Sequence, residues 1–155
     1  LPDASIGRRE WIQHPGACAV VSLFENGDCV LIQQFRYPAQ QLFWEVPAGK
    51  IDRGEDPFTT ANRELEEETG FRAKEWTYVG HFYPAIGYAD EVIHVYLAVG
   101  LVPGRQNTDQ DEFLRVYRVP FNEVVDMIHS GEINDAKTIS SIIRVQGFLA
   151  RDRLK

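Results

Sequence analysis

Two runs of apolar and β-branched residues stand near the start of the chain, Gly16 to Phe24 and Cys29 to Phe35, with Asn26-Gly27-Asp28 between them. Asn-Gly between two such runs predicts a β-hairpin, because both residues accept the positive φ of a tight turn. Arg8 to Gln13 reads as a short strand entering the fold, and Gln40 to Val46 as a further strand closed by Pro47. The period then changes. Asp56-Pro57 is a cap followed by a first helical residue, and Gly70 is a stop, so a helix is expected from Pro57 to about Thr69. Trp76 to Tyr83 and Glu91 to Gly100 read as strands around a loop from Pro84 to Asp90. Residues 103 to 112 are polar and loop-like, and Phe113 to Val119 is a strand.

Two more helices are expected after it. Pro120 to His129 places Val124, Val125 and Ile128 at helical spacing. Asn134 or Asp135 then caps a helix to about Leu149, with Ile139, Ile142, Ile143 and Val145 as its apolar side. Mixed strands with helices predict an α+β or three-layer domain. No repeat or linker divides residues 1–155, which are read as one domain with residues 1–15 as an N-terminal strand segment.

Composition adds limits. A chain of 155 residues suits one domain with a real core. Its formal charge of −7 argues against a nonspecific nucleic-acid binder. The same charge requires metal ions or local arginines wherever a phosphate is to be held. Cys18 and Cys29 flank the predicted turn at unequal offsets, so they are read as buried, reduced thiols. No run approaches membrane-spanning length and no secretory signal is visible, so a cytoplasmic protein without a membrane partner is expected.

The chemistry concentrates in the first predicted helix. At roughly 100° per residue, Glu64, Glu67 and Glu68 fall within an arc of about 100°. Three carboxylates on one arc repel each other, and a divalent cation removes that repulsion. Hard oxygen donors without cysteine or clustered histidine favour Mg2+, with Mn2+ possible, over zinc.

Gly49, Glu55, Arg63-Glu64, Glu67-Glu68 and Gly70-Phe71 stand at fixed offsets over 23 residues. They resemble the Nudix box, G-x5-E-x7-R-E-U-x-E-E-x-G-U with U apolar, at every position. The resemblance implies an α/β/α sandwich with a mixed sheet between helices, and hydrolysis of a nucleoside diphosphate linked to another moiety. It implies that Glu64, Glu67, Glu68 and the Ala48 carbonyl hold metal. Arg63 is expected to orient a glutamate, and Glu55 to fix the loop.

Gln34-Phe35-Arg36-Tyr37-Pro38, then Trp44 to Gly49, then Tyr83 to Glu91, resemble the branch of that family acting on ADP-ribose and nucleotide sugars. Arg36, beside a loop, suits a phosphate oxygen. Glu91 resembles a residue of the branch that contacts the terminal sugar, and Arg8 one near the nucleotide. Trp11, Tyr37, Phe43 and Tyr88 offer faces on which a base can stack. His81, His94 and His129 show no ligand spacing and are read as structural. The branch commonly forms homodimers whose N-terminal strands complete the partner's site, which makes Trp11 a candidate interface residue. A general base is expected on the 103–112 loop: Glu112 by alignment with the branch, Asp111 next, Asp109 least. Another nucleoside diphosphate derivative as substrate, such as a dinucleotide or an oxidised nucleotide, and a non-catalytic ligand-binding regulator are the competing readings.

Overall fold

A computed structural model describes residue 2, residues 4–108 and residues 114–152. The elements run β1 (Ala17–Leu23), β2 (Asp28–Arg36), β3 (Gln41–Glu45), β4 (Ala48–Lys50), α1 (Pro57–Thr69), β5 (Phe71–Phe82), β6 (Ile93–Pro103), β7 (Leu114–Pro120), α2 (Phe121–Ser130) and α3 (Ala136–Asp152). The strands form one mixed sheet with a central path β3-β2-β1-β6-β5, to which β4 adds beside β1 and β7 beside β2. β1 and β6 are parallel over seven residues; the β2–β3, β2–β7 and β5–β6 pairs are antiparallel.

Strand β1 is buried on both faces, which explains its unbroken apolar run. Its side chains alternate between two cores. Cys18 and Val20 meet Ala61 and Leu65 of α1, whereas Ala19 and Val21 meet Val124 of α2 and Ile142 and Val145 of α3. The result is the expected α+β sandwich, with helices on both faces of the sheet. Cys18 and Cys29 belong to opposite cores and are free, buried thiols. Burial pushes both up to about 12, so neither is a ready nucleophile. Among the described residues no helix is long and apolar enough to cross a membrane.

Four expectations are corrected. Arg8 to Gln13 is not a strand: it makes a single parallel bridge, Ile12 to Ala89, with the Ile12 amide donating to the Tyr88 carbonyl at 2.8 Å. Its neighbour is a turning loop, so the ladder cannot continue. No strand was expected between Pro47 and the first helix, yet Ala48 to Lys50 forms β4, because Gly49 hides its pairing with Cys18. β5 starts at Phe71 rather than Trp76; its outward positions are polar and mask the pattern. Ile143 is 40% exposed and leaves the buried side of α3 to Ile142 and Val145, with Ile139 partly buried.

Candidate active site

Helix α1 carries the carboxylates, and its ends are set locally. The Asp56 side chain accepts from the Phe58 and Thr59 amides at 2.9 and 3.2 Å, and Pro57 takes the first turn. Gly70, at φ 73°, closes the other end, its amide donating to the Glu66 carbonyl.

Between those ends Arg63 gathers three acids. Its NH1 nitrogen donates to Glu64 Oε1 at 2.8 Å and Glu67 Oε2 at 2.9 Å. Nε and NH2 donate to the two oxygens of Glu55, each at 3.1 Å. The Glu55 hydrogen bonds, with those to Glu67 and Glu64, hold the guanidinium firmly protonated. Glu55 also accepts from Thr60 Oγ1, so it anchors the loop as expected. Glu68 is buried and accepts the Ala48 amide at 2.9 Å, tying α1 to β4. Gly49 makes the second tie. A Cβ there would lie 1.9 Å from Glu64 Oε1, so the carboxylate rests where any other residue would have a side chain.

In this conformation Glu64 and Glu67 face Arg63 and Glu68 faces Ala48. Among the described residues no three His, Cys, Asp or Glu side chains close around one point. The donor set nevertheless fits a hard divalent cation. Glu64 and Glu67 line a cleft and already converge on one positive nitrogen, and Glu68 is a third oxygen donor of the same helix, beside Ala48 of the cleft wall.

That cleft has a volume of about 780 Å³. Glu64, Glu67, Arg63, Ala48 and Gly49 line one side, and Arg36, Asp135, Ala136 and Lys137 belong to the same lining. Arg36, the arginine suited to a phosphate oxygen, already pairs with an acid of its own chain. Its Nε and NH2 form a fork on Glu45 at 2.7 and 2.6 Å, and Lys137 Nζ reaches Glu45 at 2.6 Å. Burial alone would raise the Glu45 pKa; Arg36 and Lys137 outweigh it and hold the acid below the usual carboxylate range. Asp135 behaves alike. Burial pushes it up, and Lys137 and Thr138 bring it net downward. Its carboxylate caps α3 through the Thr138 amide at 3.0 Å, and Thr138 Oγ1 in turn accepts the Val46 amide. A buried acid thus holds two cations at the rim of a cleft in an acidic protein.

Glu91 lines the cleft, beside His14, Pro84 and Ile93. His14 Nδ1 accepts the Gly16 amide at 3.1 Å and lies 3.7 Å from Glu91 Oε1. Arg8, Trp11 and Tyr88 do not line this cleft. Arg8 is exposed, and Trp11 and Tyr88 are 65% and 63% exposed. Tyr37 is exposed as well, and Phe43 lies within β3. Glu112, Asp111 and Asp109 lie outside the described residues. The start of their loop is described. The Asn107 amide donates to the Glu67 carbonyl at 2.9 Å, and Gln106 Nε2 to the Glu68 carbonyl at 2.8 Å. The loop therefore leaves from the end of α1, at the cleft.

Sequence reading missed Lys137, Asp135, Lys50, Asn107 and His14 as cleft residues. Asp135-Ala136-Lys137-Thr138 carried a helix-start signal only; nothing local announces that Lys137 meets Glu45, 92 positions away.

The NUDIX domain family matches residues 13–142. The chain is 40% identical over 148 residues to an ADP-ribose pyrophosphatase of Bacillus subtilis (strain 168), covering 94% of this chain and 80% of that protein. It is 38% identical over 149 residues to a methanol dehydrogenase activator of Bacillus methanolicus, again covering 94% and 80%. A crystal structure of an ADP compounds hydrolase superposes with a TM-score of 0.81 at 26% identity, covering 88% of this chain and 74% of that one. The chain belongs to the Nudix family, and its intact box on a matching fold makes it a Nudix hydrolase.

Proposed function

We propose that the protein hydrolyses the pyrophosphate of ADP-ribose and related nucleoside diphosphate sugars with Mg2+, releasing a nucleoside monophosphate and a sugar phosphate. One observation carries this reading: the cleft sets oxygen donors on α1 against two cations held by buried Glu45. When bound, Mg2+ offsets charge on the pyrophosphate oxygens and lowers the pKa of water.

The chain's own residues do the rest. Glu64, Glu67, Glu68 and the Ala48 carbonyl would hold the cation. Arg63 keeps Glu64 and Glu67 oriented and limits their repulsion. Arg36 and Lys137 sit where phosphate oxygens can take their unused N–H groups, while Glu45 keeps both in place. Glu91 faces the cleft with the hydrogen-bonding capacity a sugar hydroxyl requires. Glu112, on the loop that leaves the end of α1, takes the proton of the attacking water; Asp111 is the alternative carrier.

The same reading includes a cytoplasmic homodimer. Arg8 and Trp11 stand outside their own cleft and are exposed, which supports a role in the site of a second copy. A panel of nucleoside diphosphate sugars, assayed with Mg2+ for released monophosphate, tests the proposal. ADP-ribose should rank first. Turnover confined to dinucleotides or to oxidised nucleotides would refute the substrate class, and no turnover would refute the reaction.

A further inference from the structure

On the sheet face that carries α1, β5 and β6 bring two histidines and a tyrosine to one point, and none of the three lines the cleft. Tyr78 Oη is 3.2 Å from His81 Nδ1 and 3.2 Å from His94 Nδ1. His81 and His94 are cross-strand partners with ring centroids 6.0 Å apart.

The backbone produces this meeting. Side chains alternate along a strand, so residues 78 and 81 would normally face opposite sides. A bulge intervenes: Tyr78 pairs with Tyr96, but Gly80 pairs with Val95 and His81 with His94. Gly80 adopts φ +113°, a conformation L side chains rarely take, and Arg144 fills the space where a Cβ would stand. The extra residue turns His81 onto the face of Tyr78. Tyr96 packs 5.3 Å from Tyr78, and Tyr83 meets His81 edge-on at 5.8 Å, so neighbouring rings brace the cluster.

We propose that Tyr78, His81 and His94 form a binding site for a late first-row transition ion, of which Cu2+ is the best fitted. Imidazole nitrogen suits Cu, Ni and Zn, and Cu2+ stands highest in the affinity order. With metal–ligand bonds of roughly 2.0–2.1 Å, adjacent ligands in a square or tetrahedral set lie roughly 2.9–3.4 Å apart. Both oxygen–nitrogen separations fall in that range. Without metal, the hydroxyl donates to one Nδ1 and accepts from the Nδ1–H of the other ring. On binding, both rings offer the Nδ1 lone pair with the proton on Nε2, and the phenol releases its proton to solvent. The mixed nitrogen and oxygen set separates this site from the all-oxygen donors of α1.

Titration of the chelator-stripped protein with Cu2+, followed by electron paramagnetic resonance and visible absorption, tests the assignment. One Cu2+ per chain should show hyperfine coupling to two nitrogens and a tyrosinate-to-copper charge-transfer band. Tyr78→Phe should remove the band and keep the nitrogens. His81→Ala and His94→Ala should each weaken binding tenfold or more while hydrolysis of ADP-ribose with Mg2+ is unchanged. Oxygen-only coordination in the wild-type spectrum would overturn the proposal without any variant. So would an unchanged affinity in the double histidine variant, which would place the copper elsewhere.

Discussion

Replacing Glu45 by Gln isolates the acid that holds the cationic rim of the cleft. The side chain is 3% exposed and accepts three charge-assisted hydrogen bonds, two from Arg36 and one from Lys137. Glutamine keeps the shape and one acceptor but removes the charge, leaving two cations facing an amide. Removing one partner of a buried pair costs roughly 3–5 kcal/mol. Arg36 is 42% exposed and Lys137 16%, so solvent screens part of that loss. A cost of about 2–3 kcal/mol remains, equivalent to a fall in Tm of roughly 5–10 °C for a domain of this size. The pH dependence gives a sharper reading. Glu45 titrates below its unfolded value, so the unfolded state binds more protons across that window and stability rises with pH. The contribution is complete above the unfolded carboxylate pKa, about 4.3, and is lost as pH falls through the lower folded value. Urea midpoints for wild type and Glu45→Gln should differ most at pH 7 and converge below about pH 4. A gap that is constant from pH 7 to pH 3 would show that the variant disturbs packing rather than a charge network. The same variant should raise KM for the nucleotide substrate, as Arg36 and Lys137 lose their fixed positions.

Other outcomes follow from the same geometry. Glu68→Gln should lower kcat on the order of 10²-fold with little loss of fold; an unchanged rate at saturating Mg2+ would remove Glu68 from the site. Gly49→Ala drives a Cβ into the Glu64 carboxylate, so the Mg2+ concentration for half-maximal rate should rise, and an unaltered Mg2+ dependence would mean that Glu64 is not a ligand. Glu112→Gln should depress kcat strongly at nearly constant KM; retained kcat there with collapse in Asp111→Asn would move the role one residue upstream. Sedimentation should find a two-fold dimer weakened by Trp11→Ala, and a fully active monomer at micromolar concentration would refute the dimer.

The parts legible in the sequence were those specified locally. Asp56, Pro57 and Gly70 are a start and a stop written within one helix, and α1 runs between them as expected. The β1–β2 hairpin follows from Asn26-Gly27 and its flanking apolar runs, with Leu23 opposite Cys29. The carboxylates of α1 were legible because helical spacing alone puts them on one arc. What stayed hidden depends on distant partners. Ala48 to Lys50 becomes a strand only because β1 lies beside it. The fork of Arg36 on Glu45 and the arrival of Lys137 join β2, β3 and α3, and no spacing rule connects them. His81 and His94 showed no ligand spacing because the bulge at Gly80 that aligns them is a backbone event.

The central claim is Mg2+-dependent hydrolysis at the α1 carboxylates, with the nucleotide sugar held in the adjoining cleft. Its most direct measurement follows release of AMP from ADP-ribose by wild type and Glu68→Gln across a Mg2+ titration, with chelator as the zero point. AMP and a sugar phosphate should appear in equal amounts with wild type, only when Mg2+ is present, and on the order of 10²-fold more slowly with the variant. Equal rates for the two proteins, or AMP release that persists in chelator, would contradict it.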